Sequence, residues 1–479
     1  MSNSNKFIRV LACALFCFTT VWGKPLPVAF TQWLQSENMQ AATVAVEIRN
    51  LTTGEIVYEH EAHRAVIPAS VTKLTSTGAA LRLLGPDYRV ETEVFTTGET
   101  DSDGTLHGDV VIVGHGDALL GSSRSQFARD LFLQNIWAAL SKAGIRRIQG
   151  RITGDGSAIP APWVGPGWEW EDFGNYYAPP IAGLNWGDNV FSLVFDTSKK
   201  KSRPRLIRTE PEIPGMVIEN CLTEEDAAHD KSYVYGGPRV SLRTIIGSIP
   251  HKNATYTVRA SVSDPPAFAA QALARYLYLK GIETEGGLSA SHLNGDFPIS
   301  TERKLLTVYR GESLDYVVNE TNTNSNNLFA EMVLHQIALA RADGTREKGV
   351  RAVMDYWKER GLDMRGVKLY DGCGLSPDTR VTAHFVCDLL ADMKDDRAFR
   401  ASLPVAGKTG TLAMFLKGTR LQGKAHLKTG TLKNVVAYSG YIYADKGEIY
   451  AVTFIVNDYA GTSTAVRKKV ENLLLLMIP

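Results

Sequence analysis

The chain has 479 residues, of which 44% are hydrophobic, and its charge is nearly balanced, with 52 Lys plus Arg against 51 Asp plus Glu. This length predicts two or three domains, and the composition supplies enough apolar residues for a sizeable core. The balanced charge excludes the basic excess typical of nucleic-acid-binding proteins and the acidic tracts typical of disordered ones.

The N-terminus has the pattern of a secretory signal peptide. Lys6 and Arg9 precede the apolar run "VLACALFCFTTVW", and Val21 and Gly23 suit the small-residue rule for cleavage. We therefore predict a signal peptide over 1–23, cleaved after Gly23, and export to the periplasm or cell envelope as a soluble or peripherally associated protein. A retained anchor is the alternative, although the run is short for a bilayer span.

Three cysteines remain after the predicted cleavage, namely Cys221, Cys373 and Cys387. Three thiols cannot all pair with one another, and no C-x-x-C or clustered Cys/His spacing indicates a zinc site. We expect three small buried residues, and a Cys373–Cys387 disulfide stays open.

The first elements of the mature chain are a predicted hairpin and a predicted helix. "AATVAVEIRN" and "IVYEHEA" are rich in valine and isoleucine, and "LTTGE" supplies the turn between them. In "IPASVTKLTSTGAALRLLGP", Leu74, Leu81 and Leu84 recur at helical spacing, and Gly85-Pro86 ends the run.

Short strand-like runs such as "VETEVFTTG" and "GDVVIVGHGD" dominate from about residue 90 to 300, around the aromatic segment "WVGPGWEWEDFGNYYAPP". "DPPAFAAQALARYLYLKG" predicts an amphipathic helix. Further on, "SLDYVVNE" and "NSNNLFAEMVLHQIALA" predict helices, "VAYSGYIY" and "EIYAVTFIVN" a hairpin, and "TAVRKKVENLLLLMI" a last helix packed on the sheet. This order predicts one domain built from both chain ends and interrupted by an insertion. Three domains in series are the alternative.

Ser70 and Lys73 in "PASVTKL" have the spacing of a nucleophile and its base. Pro68 marks a helix start, and residues three apart share a helical face, so Lys73 would lie one turn from the Ser70 hydroxyl. A buried lysine loses proton affinity and can act as a base, while a helix N-terminus offers N–H groups to an oxyanion. The alternative is a helix cap with a solvated lysine.

Three short motifs occur twice each, so order and context must select between the copies. S-x-x-K recurs at 198–201, S-x-N occurs at 36–38 and at 325–327, and K-T-G begins at Lys408 and again at Lys428. The 198–201 copy lies in the charged stretch "TSKKKS", which is typical of a solvated turn.

Context favours the copies at Ser325 and Lys428. "NTNSNNLFAEM" places Ser325 and Asn327 where a polar loop enters an apolar helix. The K-T-G at Lys428 leads into the strand-like "LKNVVAYSGYIY", so Lys428 would lie on a strand, on which Thr429 and Thr431 face the same way. The earlier copy lies in a stretch without strand alternation, so we predict that it is not functional.

Together these segments resemble the D-alanyl-D-alanine carboxypeptidase/endopeptidases, the class C low-molecular-mass penicillin-binding proteins. The resemblance covers nearly the whole mature chain and rests, in the family's order, on "PASVTKL", "GHGD", "GWEWEDFGNYYAPP", "NSNNLFAE", "DGCGLS", "LPVAGKTGTL" and "HLKTGTL". It implies an α/β (α+β) fold with a penicillin-recognising serine transpeptidase/β-lactamase-like domain, an antiparallel sheet flanked by helices. Strand-rich domains would be inserted between S-x-x-K and S-x-N.

The long interval between Ser70 and Ser325 would hold two inserted domains. The expected divisions are a signal peptide at 1–23, a discontinuous catalytic domain at 24–92 and 301–479, inserted domain II at 93–154 and 252–300, and inserted domain III at 155–251.

The resemblance implies acyl transfer through an ester on Ser70, with Lys73 as the proton acceptor. Ser325 would relay a proton to the leaving amine with help from Lys428, and Asn327 would hold the acyl-chain amide and orient Lys73. No metal or other cofactor is expected.

Further residues would bind the substrate. Lys428 and the hydroxyls of Thr429 and Thr431, on either side of Gly430, would hold the terminal carboxylate. Backbone N–H groups of Ser70 and Thr431 would form the oxyanion hole.

In the family, an acidic residue in this segment contacts the amino group of the third stem-peptide residue. Asp172 matches this acidic residue, with Tyr177 alongside. The alternative is that "WEWEDFGNYY" is a packed loop, since aromatic residues are more often core than ligand contacts.

The chain departs from the family at several positions. Cys373 replaces a common serine, Pro377 stands where some members carry arginine, and Thr409 replaces an acid. "GTLAMFLKG" also lacks a basic residue often found there. We expect the core chemistry to survive and the substrate preference to be affected.

The implied partners are peptidoglycan peptides ending in D-Ala-D-Ala, and β-lactam antibiotics as covalent inhibitors. We expect no nucleic acid and no transmembrane anchor, and the oligomeric state stays open. A serine β-lactamase of related fold and a catalytically silent peptidoglycan-binding protein are the alternatives. Rapid turnover of penicillin would indicate the first, and a failure to react with penicillin would indicate the second.

Overall fold

The computed structural model describes residues 25–198, 203–252, 254–291 and 302–479. The predicted signal peptide and its cleavage after Gly23 lie outside these ranges. Within them, no helix has both the length and the apolar composition that crossing a bilayer requires.

Helices cluster in the first and last parts of the chain, with two in between. The helices of the described ranges are α1 Val28–Leu34, α2 Lys73–Leu84, α3 Leu131–Lys142, α4 Pro265–Leu279, α5 Leu314–Asn324, α6 Asn327–Arg341, α7 Arg346–Glu359, α8 Ala383–Asp392, α9 Arg397–Ala401 and α10 Ser463–Met477.

Strands occupy most of the middle of the chain and both ends. They are β1 Thr43–Asn50, β2 Ile56–His60, β3 Arg89–Thr96, β4 Thr105–Leu106, β5 Val110–Gly114, β6 Arg147–Ile148, β7 Ile152–Asp155, β8 Val190–Asp196, β9 Arg205–Glu210, β10 Val217–Asn220, β11 Thr223–Glu225, β12 Tyr233–Tyr235, β13 Leu242–Ile246, β14 Ser248–Pro250, β15 Thr255–Ser261, β16 Glu283–Thr284, β17 Leu288–Ser291, β18 Lys304–Ser313, β19 Ala425–Leu432, β20 Val435–Tyr443 and β21 Ile449–Asn457.

Both ends of the chain build one antiparallel sheet in the order β19-β20-β21-β1-β2, which contains the two predicted hairpins. Helices α1 and α10 cover one face, and α2, α5, α6, α7 and α8 pack over the other. Because both faces are covered, β20 and β21 are buried along almost their whole length. Their sequences are therefore nearly continuous apolar runs instead of alternating ones.

The last helix packs on this sheet as predicted from its sequence. Five apolar residues of α10 are buried in the core that it shares with the sheet, namely Val466, Val470, Leu473, Leu474 and Met477. Four residues of the terminal "LLLLMI" are thus internal, namely Leu473, Leu474, Met477 and Ile478, whereas Leu476 is exposed.

The strand-rich stretch of chain from β3 to β18 forms a second core. These two strands belong to a five-stranded sheet in the order β17-β7-β5-β3-β18, and α3 and α4 pack in the same core. Strand β3 runs across the expected division at residue 92, and β15 pairs with β8 across the division at residue 251. The domain divisions remain a proposal.

The three cysteines are free thiols, and one prediction about them was wrong. Cys373 and Cys387 are buried, whereas Cys221 is exposed. Cys221 lies between the short strands β10 and β11, where the neighbouring Leu222 turns into the core. Because adjacent side chains of extended backbone point to opposite sides, Cys221 faces outward.

Candidate active site

The segment "PASVTKL" brings Ser70 and Lys73 into direct contact. Residues Ala69–Thr72 form a 3₁₀ turn that leads into α2, and Ala69 has a φ of 47°, which is strained for a residue with a Cβ. Lys73 Nζ lies 2.9 Å from Ser70 Oγ. Lys73 is fully buried, so the alternative of a solvated lysine does not hold.

Lys73 Nζ has two further partners, Asn327 Oδ1 at 2.6 Å and the carbonyl oxygen of Cys373 at 2.7 Å. Burial lowers the pKa of Lys73, although the nearby Cys373, Asp371 and Glu331 oppose this effect. A neutral amine has two N–H donors and one lone pair. It can therefore donate to the two carbonyl oxygens and accept the proton of the Ser70 hydroxyl.

Ser325 and Asn327 lie at the junction of α5 and α6. Ser325 ends α5 in a left-handed conformation, with a φ of 57°. The side chain of Asn326 then caps α6 by accepting a hydrogen bond from the N–H of Phe329. Asn327 begins α6, so this turn presents Ser325 and Asn327 to the same space as Ser70, as the polar loop in the sequence predicted.

Lys428 lies on β19 and is completely buried. Its Nζ donates to Ser325 Oγ at 2.8 Å and to the carbonyl oxygen of Thr429 at 2.9 Å. Burial lowers the pKa of Lys428 well below its ordinary value, and Lys73 adds to this effect when it is protonated. Lys408 is exposed in a loop and takes no part in these contacts.

Two glycines allow the elements around Ser70 to meet. A Cβ on Gly430 would lie 2.5 Å from the carbonyl oxygen of Pro68, so only glycine lets β19 approach the turn that carries Ser70 this closely. A Cβ on Gly374, in "DGCGLS", would lie 2.0 Å from the carbonyl oxygen of Ala69.

The two hydroxyls of the second K-T-G-T have partners that the sequence did not predict. Thr429 Oγ1 lies 2.9 Å from the hydroxyl of Thr411, which belongs to the first K-T-G-T. Thr431 Oγ1 accepts a hydrogen bond of 2.9 Å from Arg467 on α10. The repeat "KTGTL" was the one available signal for Thr411, and nothing in the sequence indicated Arg467.

A cleft of about 610 Å³ opens over these residues. Of the predicted site residues, six line it: Ser70, Asp172, Tyr177, Ser325, Asn327 and Thr431. Lys73 and Lys428 lie behind this lining and reach it through Ser70 and Ser325.

The aromatic segment is partly packed and partly open to the cleft. Trp168 is buried and donates from Nε1 to Asp371 at 2.9 Å, whereas Trp170 is 62% exposed. Tyr177 donates its hydroxyl to Asp172 Oδ1 at 2.9 Å, and its carbonyl oxygen accepts from Asn327 Nδ2 at 2.8 Å. Burial raises the pKa of Asp172, with a further contribution from two neighbouring carboxylates, while the hydrogen bond from Tyr177 opposes this shift.

A buried polar network that the sequence did not predict supports the loop "DGCGLS". Glu331 accepts from Arg346 Nε at 3.0 Å and from the N–H of Gly372, and Asp371 accepts from the N–H groups of Gly374 and Ser376. This network fixes the loop whose Cys373 carbonyl contacts Lys73.

Two groups of side chains in the described ranges could bring three metal-ligating atoms together: His63, Asp363 and His384, and Glu331, Asp371 and Cys373. In the buried second group both carboxylates already accept N–H donors.

The site combines a serine hydrogen-bonded to a buried lysine, a second serine–lysine pair and an asparagine between the two pairs, all beside an antiparallel strand. This combination defines a penicillin-recognising serine enzyme. Residues 28–476 match the D-Ala-D-Ala carboxypeptidase 3 (S13) family, and the chain belongs to that family. It is thus a serine hydrolase of the D-alanyl-D-alanine carboxypeptidase type.

The alignments with individual relatives cover most of the chain. The chain is 28% identical over 444 residues to a D-alanyl-D-alanine carboxypeptidase from Actinomadura sp., an alignment that covers 89% of this chain and 80% of the relative. Its fold is similar to penicillin binding protein 4 (dacB) from Haemophilus influenzae, with a TM-score of 0.78, 21% identity, and coverage of 95% of this chain and 100% of the other.

A more distant solved structure is the predatory endopeptidase from Bdellovibrio bacteriovorus, with a TM-score of 0.51, 16% identity, and coverage of 91% of this chain and 93% of the other. The predicted family and fold class are confirmed.

Proposed function

We propose that Ser70 is the nucleophile of this carboxypeptidase and that it cleaves the bond between the two terminal D-alanines of peptidoglycan stem peptides. Ser70 Oγ attacks the carbonyl carbon while its proton passes to the neutral Nζ of Lys73. The observation that carries this proposal is the 2.9 Å contact between Ser70 Oγ and a fully buried lysine. A base must lie within hydrogen-bond reach of the proton that it removes, and burial favours the neutral form of Lys73.

The second serine–lysine pair would complete the acylation step. The C–N bond breaks as the ester on Ser70 forms, and the departing amine of D-alanine receives a proton through Ser325, which lies 2.8 Å from Lys428 Nζ. Water then attacks the ester, releases the shortened peptide and returns the proton to the Ser70 hydroxyl.

The remaining roles concern binding. We assign the oxyanion hole to the backbone N–H groups of Ser70 and Thr431, each worth about 3 kcal/mol in the transition state. Asn327 holds the amide of the acyl chain and orients Lys73, to which its Oδ1 is bonded at 2.6 Å. Thr429 and Thr431, separated by Gly430, bind the terminal carboxylate.

We further propose that the protein is exported and that it acts on cross-linked as well as uncross-linked peptides. The sequence pattern at 1–23 supports export. The similarity of fold to an endopeptidase supports cross-link cleavage, because a cross-link also presents a D-alanine carbonyl as the acyl group.

The test is to incubate the protein with purified peptidoglycan fragments and to identify the products by mass. Loss of one D-alanine indicates carboxypeptidase activity, and conversion of dimers to monomers indicates endopeptidase activity. Ser70→Ala, checked for folding by its melting temperature, should abolish both. Cleavage that survives in Ser70→Ala would exclude Ser70 as the nucleophile.

A fluorescent penicillin separates the two alternatives. A stable adduct on Ser70 supports the peptidase. Rapid release of the hydrolysed penicillin would favour a β-lactamase, and the absence of any adduct would favour a silent binding protein.

A further inference from the structure

Arg467 lies beside the active-site cleft, although it is remote in sequence from every active-site motif. Its Nη2 donates a hydrogen bond of 2.9 Å to Thr431 Oγ1. Thr431 lines the same cleft as Ser70 and Ser325. The neighbouring Val466 and Val470 of α10 are buried against the sheet, so the backbone that carries Arg467 is held in place.

No carboxylate of the described residues forms an ion pair with Arg467. Glu471, one helical turn further along α10, pairs instead with Lys468 at 2.9 Å and accepts a hydrogen bond from the backbone N–H of Leu416. A guanidinium carries five N–H donors and a permanent charge. A half-buried guanidinium bonded to one hydroxyl therefore has both charge and donors left for an anion that enters the cleft.

Two other lysines lie near this point: Lys428, which is engaged, and Lys433, an exposed side chain at the rim of the same cleft. Lys428 Nζ is held by Ser325 and by the carbonyl oxygen of Thr429. Pro377, which also lines the cleft, is uncharged, and so is the run of residues 413–416 that precedes Lys417. Thr431 thus meets a cation that comes from the last helix.

We propose that Arg467 binds the terminal carboxylate of the acyl donor together with Thr431 and thereby sets the preference for a free C-terminal carboxylate. The inference rests on the proposed function of this site. Arginine suits this role because its planar fork matches a carboxylate in two parallel hydrogen bonds, and such charge-assisted bonds are the strong ones.

The experiment compares two peptides that end in D-Ala-D-Ala, one with a free carboxylate and one with a C-terminal amide. Their kcat/KM values are measured for the native protein, Arg467→Met, Arg467→Lys and the control Lys468→Met. We expect Arg467→Met to lower kcat/KM at least 10-fold for the acid and less than 2-fold for the amide. Arg467→Lys should recover part of the loss, and Lys468→Met should behave like the native protein.

Two results would overturn the inference. An equal loss for both peptides would make Arg467 a structural residue that holds α10 against β19, and unchanged values for both would show that it does not reach the carboxylate. Failure of the native protein to cleave either peptide would instead contradict the proposed function. In that case the acylation rates by benzylpenicillin and by its methyl ester still test Arg467, with the loss in Arg467→Met expected for the acid alone.

Discussion

In the proposed mechanism, the reactivity of Ser70 depends on the protonation state of one neighbouring lysine. Lys73 is buried, and its Nζ contacts two carbonyl oxygens and the serine hydroxyl. Desolvation is the largest effect on its pKa and acts downward, while the surrounding acidic groups moderate it. The balance favours a neutral amine at a lower pH than an exposed lysine would allow.

This balance predicts the pH dependence of acylation. Only neutral Lys73 can accept the serine proton, so the rate should rise with pH and level off above the pKa of Lys73. Because that pKa is lowered from 10.5, the plateau should begin below pH 10.5. The measurement is the second-order rate constant of acylation by benzylpenicillin between about pH 5 and about pH 11. This series spans roughly the range in which the pKa of a buried or an exposed lysine can lie.

Lys73→Arg is the matched variant, because an arginine keeps its proton at every pH of the series. It should lose about 10²–10⁴-fold in the acylation rate, the usual contribution of a general base. A rate that climbs without a plateau in the native protein, or activity retained in Lys73→Arg, would rule out Lys73 as the base.

The two K-T-G lysines provide a second test at the residue scale. Lys428 is buried against Ser325, whereas Lys408 is exposed. We expect Lys428→Ala to lower kcat/KM for peptide cleavage by roughly 100-fold or more, as for other proton-transfer and charge-stabilising groups. Lys408→Ala should remain within about twofold of the native value. Equal losses in two folded variants would contradict the choice between the copies.

At the scale of elements, the site depends on how closely β19 approaches the turn Ala69–Thr72. The contact places the second K-T-G beside Ser70, and it requires a residue without a Cβ at Gly430. Two backbones meet here, so a side chain at this position cannot be accommodated by a rotamer change alone.

Gly430→Ala should therefore impair catalysis more than folding. The added Cβ would displace β19 from Pro68, and a displacement of about 1 Å in an active site can cost about 10²-fold in rate. The acylation rate and the melting temperature are measured together. Gly237→Ala is the control, since its Cβ would meet its nearest neighbour at 3.9 Å. Native-like acylation by Gly430→Ala would show that the strand has room to move.

At the scale of the whole molecule, the cleft combines segments from distant parts of the chain. The aromatic segment comes from the strand-rich middle of the chain, yet the carbonyl oxygen of Tyr177 accepts a hydrogen bond from Asn327. The middle of the chain is thereby coupled to Asn327, and it contributes the acidic wall of the cleft, formed by Glu169, Glu171 and Asp172.

We predict that Asp172 favours a stem peptide whose third residue ends in a free amine. Asp172→Asn should lower kcat/KM for such a peptide by an amount that corresponds to roughly 1–3 kcal/mol of transition-state stabilisation, the usual range for a hydrogen bond to a charged group. Acylation by a simple penicillin, which lacks the amine, should hardly change. If both rates fall together on one preparation of the variant, Asp172 is structural and the packed-loop alternative is correct.

The sequence alone determined what depends on neighbours along the chain. The hairpins follow from turn residues between β-branched runs, and the Ser70–Lys73 pair follows from the three-residue spacing at a helix start. Seven ordered segments then identified the family, and the apolar face of the last helix indicated that it packs inside the protein.

Only the tertiary structure decided which distant residues meet. Arg467 was predicted merely to lie on a packing helix, and its contact with Thr431 exists because α10 packs on the face of the sheet that contains β19. The pairing of Thr411 with Thr429 and the buried Glu331–Arg346 contact arise in the same way. Periodicity and spacing report the face of an element but not the element that it faces, and for this reason these contacts could not be read from the sequence.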